Sequence, residues 1–237
     1  SVEELSKALK MIDRKGNGII LTQDIIDLIT TTGHKLSKIE AEELLKEFKT
    51  ISIALSGGNS PLPIYNRLST YNLDWKRIKF FLVDERCVST NSLENNFKNI
   101  QTVFLSKIPS ECFAMVHEGK SFIEDAKNYE KLIREHVKQE NQFPKFDLII
   151  LGMGLDGHTA SLFPNTKALD EKDKYIVLNE VSFLNTKRIT MTYPLLQNAK
   201  KLILICQGKE KKKVILNAFK KELPISRLLP KIDLILN

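Results

Sequence analysis

An aspartate and a histidine stand two residues apart in the stretch LGMGLDGHTASLFP, residues 151–164, with glycines at 152, 154 and 157. Imidazole is the side chain best matched to proton transfer near neutral pH, and a neighbouring carboxylate can orient it. An isolated histidine is more often structural; beside Asp156, in a glycine-shaped loop, His158 reads as a general base. Zinc is the weaker reading, because one His and one Asp do not supply three ligands and no other histidine lies in a comparable loop.

Two further stretches could hold an anion. In SGGNSP, residues 56–61, adjacent glycines let backbone N–H groups approach a ligand, and the helix expected to follow adds unpaired N–H groups and positive potential. The same residues also suit a plain strand-to-helix turn with Ser60 as its N-cap. In DERCVSTNSLENN, residues 84–96, the acid pair and Arg86 could form a surface ion pair. At the ligand end of a strand, the arginine's planar fork instead suits a bidentate grip on phosphate.

These groups need a frame that gathers them. From residue 50 onward, short apolar runs alternate with helical patterns, the signature of βαβ units and a parallel sheet. Strands are expected at 51–55, 78–83, 146–151, 201–206 and 232–236, with a further one at 188–192. Helices are expected at Leu62–Leu68, Asn95–Phe104, Phe122–Lys138 and Lys209–Phe219. The expected fold is α/β: a doubly wound, mainly parallel sheet covered by helices on both faces, with a small helical N-terminal segment. Ligands in such folds sit beyond the carboxyl ends of the strands, where the three stretches fall.

Composition limits the function classes. With 237 residues and 42% hydrophobic content, the chain can bury one large α/β core with a small appendage. No apolar run approaches the ~18 residues of a membrane span, and SVEELSKALK is too charged for a signal peptide. Three scattered cysteines suit a reducing compartment, with the cytoplasm as the default. The net charge of +7 rests on lysine, since only seven of the 36 basic residues are arginine. The densest run, GKEKKKVILNAFKK, reads as the wet face of an amphipathic helix rather than a nucleic-acid surface. The surplus charge attracts anionic small molecules at long range.

Taken together, IALSGGNSP, FFLVDERCV, the pair Asn95-Asn96 and LIILGMGLDGHTASLFP resemble the 6-phosphogluconolactonase branch of the glucosamine-6-phosphate isomerase/6-phosphogluconolactonase family. The resemblance covers roughly residues 50–237 and extends to KRITMTYPLLQNAKKLILICQGKEKKKVI and LPISRLL. It implies hydrolysis of 6-phosphogluconolactone in the pentose phosphate pathway, with no metal and no organic cofactor. It assigns His158 as the base that activates water and Asp156 as its orienting partner. Gly57, Gly58, Asn59 and Ser60, with Arg86 and Arg188, are implied to hold the phosphate and neighbouring oxygens, and Lys187 competes with Arg188 for that role. The family commonly has Ser-Thr where this chain has Asn59-Ser60. Some relatives are fused to glucose-6-phosphate dehydrogenase, so a longer polypeptide is an expectation.

Residues 1–49 resemble something else. LKMIDRKGNGIILTQDIIDLI is similar to an EF-hand, with a twelve-residue loop from Asp13 to Asp24, Gly18 at its sixth position and Ile20 at its eighth. Ser37 and Glu40 form a capping-box pattern for a following helix. As a Ca²⁺ site the loop is poor, since Lys15 holds the third position and the shorter Asp24 the twelfth. Either this is a degenerate, non-binding hand or the segment supplies the α/β domain's own first helices. Two other function classes compete for the whole chain. Glucosamine-6-phosphate isomerases or deaminases share the DGH loop, but usually carry MDEY where this chain has VDER and HIAFNEP where it has HTASLFP. A non-catalytic sugar-phosphate sensor would keep the anion cradle without needing His158.

Overall fold

The computed structural model describes residues 50–71, 73–140 and 143–236. The EF-hand-like segment therefore lies outside the described residues. The main sheet begins with β1 (Ile51–Leu55) and β2 (Ile78–Leu82), whose nearly unbroken apolar runs belong to strands covered on both faces. It is completed by β4 (Glu111–Cys112), β7 (Leu148–Gly152), β10 (Leu202–Ile205) and β11 (Leu234–Leu236), in the order β11-β10-β7-β1-β2-β4. All its pairings are parallel, as the sequence leads one to expect; Ile53, for example, faces Phe80 on one side and Leu148 on the other.

Helices fill the crossovers: α1 (Leu62–Leu68), α2 (Asn96–Val103), α3 (Phe122–His136), α4 (Tyr193–Gln197) and α5 (Lys209–Asn217). Each expected helix forms, within two residues of its expected ends. Asn95 caps α2 by accepting from Lys98 N–H, and Ser121 with Glu124 closes a capping box on α3. Ser60 does not cap α1; the N-cap position falls to Pro61, which makes no side-chain cap bond.

A second, smaller sheet stands beside the parallel one. The strand expected at 188–192 forms as Thr186–Met191, within an antiparallel sheet made of β3 (Asp84–Arg86), β8 (Ile176–Val181) and β9 (Thr186–Met191) in the order β3-β9-β8. Val83 is the junction. Its N–H donates to Leu55 in the main sheet, while its carbonyl accepts from Met191 in the small one. The chain thus turns out of the parallel sheet directly after β2. A short hairpin, β5 (Gln139–Glu140) with β6 (Phe143–Pro144), sits beside α3 in sequence.

Aromatic packing holds the core. Phe81 meets Phe113, Tyr129 and Phe146 at centroid distances of 4.8, 6.3 and 5.1 Å. Burial of each such side chain stabilises the fold by roughly 1.5–3 kcal/mol. Two buried phenols also pin helices to strand ends: Tyr129 Oη bonds both the N–H and the carbonyl of Leu82, and Tyr65 Oη donates to the Ser56 carbonyl. The strand ends that frame the cleft are thereby fixed from below.

Candidate active site

β1 lies between β2 and β7, so the chain leaves it first in one direction and later in the other. The carboxyl ends of β1 and β7 part at this reversal, which is where open α/β sheets bind ligands. A cleft of about 140 Å³ opens there. Its walls are the 56–61 turn, Asp84 and Arg86 of β3, Asn96 of α2, residues 152–154 with His158, Arg188 of β9 and Lys211 of α5. Two larger hollows, of about 620 and 630 Å³, contain no histidine.

The 152–158 loop is built to present one side chain. Gly154 N–H donates to the His158 carbonyl, and Thr159 Oγ1 donates to the Gly152 carbonyl, which closes the loop on its own strand. Ser161 Oγ then donates to Asp84 at 2.6 Å, tying the loop to β3. Gly154 is required by contact rather than dihedral: a Cβ there would collide with the imidazole and lie 2.6 Å from Asp156 Oδ1. Asp156 Oδ1 lies 2.5 Å from His158 Nδ1 and also accepts the His158 backbone N–H at 3.2 Å. Partial burial pushes the Asp156 carboxyl upward, but the bond to His158 and its charge outweigh this and hold it below the usual carboxylate value. An ionised carboxylate can only accept, so the neutral ring carries its proton on Nδ1 and its lone pair on Nε2. The imidazole stacks on Phe163 at 4.1 Å, which sets its plane.

The opposite wall is cationic. Arg86 and Arg188 are direct partners across β3 and β9, so their side chains rise from one face of the small sheet. Burial, and then the neighbouring Arg86, lower the Arg188 pKa. Arg188 also lies over the Phe163 ring, at 5.7 Å, so the imidazole and this cation share one platform. Arg86 Nη1 donates to the Glu94 carbonyl. Among the described residues, the buried side-chain N and O atoms without a hydrogen-bond partner are Arg86 Nε, Arg188 Nε and Asn96 Oδ1. All three residues line the cleft. Buried donors left unpaired are costly, and two arginines lining one small space, each with an unpaired donor, fit a bound anion.

The glycine turn completes this wall. A Cβ on Gly57 would occupy the place of the Asn96 side-chain amide, so only glycine lets the turn and α2 approach so closely. Gly58, Asn59 and Ser60 line the cleft, and Lys211 Nζ donates to Ser60 Oγ at 3.2 Å. A lysine, two arginines and a glycine turn thus face the His–Asp pair across one small space. A family model described as glucosamine-6-phosphate isomerases/6-phosphogluconolactonase matches residues 26–235. The chain belongs to this family. The match starts inside the segment that resembles an EF-hand. A 6-phosphogluconolactonase of Chlamydia pneumoniae is 36% identical over 197 residues, spanning 80% of this chain and 73% of that protein. One from Thermotoga maritima is 37% identical over 177 residues, 73% of this chain and 77% of the relative. The crystal structure of 6-phosphogluconolactonase from Thermotoga maritima superposes with a TM-score of 0.75 at 31% identity, covering 91% of this chain and 93% of that one.

Of the residues singled out from sequence, Gly57, Gly58, Asn59, Ser60, Arg86, His158 and Arg188 line this cleft, with Asp156 bonded to the histidine. Lys187 does not join them. It is the strand neighbour of Arg188, so it points to the other face, where it pairs with exposed Glu180 at 2.8 Å. The carboxylates of DER do not make a surface ion pair, since Asp84 and Glu85 are both buried. Sequence reading missed Asp84, Asn96, Phe163 and Lys211 as site residues. Asn96 and Phe163 stood inside stretches already noted, whereas Lys211 sat unmarked in a lysine run.

Proposed function

We propose that the cleft hydrolyses 6-phosphogluconolactone to 6-phosphogluconate, with His158 as general base. The observation that carries this reading is the Asp156–His158 pair in one cleft with two half-buried arginines, each with a buried Nε that has no hydrogen-bond partner. His158 Nε2 takes a proton from water as the water oxygen attacks the lactone carbonyl carbon. The carbonyl oxygen becomes an oxyanion, stabilised by the arginine wall. Collapse of the tetrahedral intermediate breaks the bond to the ring oxygen, which receives the proton from imidazolium, and the new carboxyl group ionises. Asp156 keeps the ring in one tautomer and stabilises the transient imidazolium, as the carboxylate of a Ser-His-Asp triad does.

The phosphate lies against the 57–60 turn, where backbone N–H groups, Ser60 and Lys211 gather, with Arg86 between phosphate and carbonyl. No metal or cofactor enters any of these steps. A cytoplasmic setting and no nucleic-acid partner go with this reading; attachment to a glucose-6-phosphate dehydrogenase segment is a separate proposal, drawn only from relatives that are fused in this way. The size of the native polypeptide in a blot tests that last point. An isomerase reading has no comparable support in this loop, because HTASLFP forms a short turn that places Phe163, not a carboxylate, against His158.

The deciding experiment compares lactone hydrolysis by the wild type and His158→Ala. Turnover should fall by about 10²–10⁴, the usual contribution of general-base catalysis, with 6-phosphogluconate affinity retained. Equal turnover in the two proteins would remove His158 from the chemistry, and an inactive wild type would remove the function.

A further inference from the structure

We infer that Glu85 is a positioning residue for substrate binding: its carboxylate clasps the strand that carries Arg86 to the helix that carries Asn96. Along β3 the side chains alternate, so Asp84 and Arg86 line the cleft while Glu85 turns away from it and is fully buried. Its oxygens reach three backbone N–H groups. Oε1 accepts from Arg86 at 2.7 Å and from Asn96 at 2.7 Å, and Oε2 accepts from Phe97 at 2.8 Å. Two of these donors open α2, whose free N–H groups and dipole favour a carboxylate. The third belongs to Arg86, which lines the cleft.

A second observation points the same way. Arg86 and Asn96, the two cleft residues that Glu85 holds by their backbones, own two of the three unpaired buried polar atoms among the described residues. The clasp therefore sets the spacing of groups left free for a ligand. Asn96 is further fixed by its own amide, which donates to the Asp84 carbonyl at 3.0 Å. A neutral amide at position 85 could not replace the clasp, because its NH₂ would face a backbone donor.

Burial pushes the Glu85 carboxyl up to about 7, against the pull of its three N–H donors. The other titratable or charged groups acting around it are Asp84, Cys87, Tyr129 of α3 and Arg188 of β9. The charged clasp is thus complete above neutral pH and weakens below it. This inference rests on the lactonase reading, and its test separates the two. Wild-type turnover of 6-phosphogluconolactone tests the reading; calorimetric binding of 6-phosphogluconate, which needs no turnover, tests the clasp. Glu85→Gln should weaken binding and raise KM about tenfold with kcat kept within about threefold, the loss expected for one charged hydrogen-bond acceptor. In an Arg86→Ala background the same substitution should cost clearly less, because part of its effect runs through Arg86. The gap between wild type and Glu85→Gln should also narrow as pH falls from about 8 to 6. In the wild type itself, 6-phosphogluconate should slow amide exchange at Arg86, Asn96 and Phe97, a readout that survives if the variant does not fold. Unchanged affinity in a folded Glu85→Gln, losses that add fully to those of Arg86→Ala, or unprotected amides would each overturn the assignment.

Discussion

Placing one methyl group at residue 154 should disable His158 without replacing it. The Cβ of Gly154→Ala would lie against the imidazole of His158 and 2.6 Å from Asp156 Oδ1, where ordinary contact begins at 3.4 Å. The His–Asp pair, or the loop below it, must therefore retreat by roughly 1 Å, and misplacement of that size can cost about 10²-fold in rate. That loss corresponds to about 2.7 kcal/mol of transition-state stabilisation. Gly154 does not have a left-handed dihedral, so alanine brings no backbone strain and the protein should fold normally. Each hydrolysed lactone yields an ionised carboxyl group, so proton release in a pH-stat, corrected for spontaneous hydrolysis, reports the rate. The expected result is kcat lowered about 100-fold with 6-phosphogluconate affinity almost unchanged. In a His158→Ala background, Gly154→Ala should cost little more, because the methyl acts only through the displaced base. A kcat within threefold of wild type, or a full additional loss on top of His158→Ala, would refute the geometric reasoning.

Arg86→Ala and removal of the phosphate from the substrate should each depress kcat/KM strongly, yet their combination should cost little more than either alone; full additivity in the four-way comparison would place Arg86 away from the phosphate. Arg188→Ala should lower kcat/KM at least tenfold, whereas Lys187→Ala should leave steady-state kinetics unchanged, since Lys187 faces away and meets exposed Glu180; a reversed outcome would exchange their roles. Asp156 has its folded pKa held below the usual 3.8, so the stability it contributes is fully present above that value and is lost as pH falls through the lower, folded pKa. Denaturant unfolding at stepped pH should therefore show wild type and Asp156→Asn converging only in acid, and a stability difference that grows toward low pH would contradict the assignment.

The parts of this molecule that were legible in the sequence are those set by neighbours along the chain. Apolar runs such as ISIAL and LIIL can only be strands covered on both faces, and their alternation with helical patterns leaves a parallel sheet as the solution. Asp156 and His158 were equally legible, because a carboxylate two residues away reaches the ring within one loop. What depends on distant pairing was not. IVLNEV alternates poorly and DER is only three residues long, so neither announces a strand until β9 pairs with both. That pairing, through the side-chain alternation of a pleated strand, also decides that Arg188 enters the cleft while Lys187 leaves it. Lys211 meets Ser60 across a separation of 151 residues, which no local spacing encodes. Glu85 reads as half of a surface ion pair until the fold buries it against the first N–H groups of α2. Local chemistry thus names the His–Asp pair and the strands, while the selection of cations and the spacing of the cationic wall come from contacts that exist only once the two sheets meet.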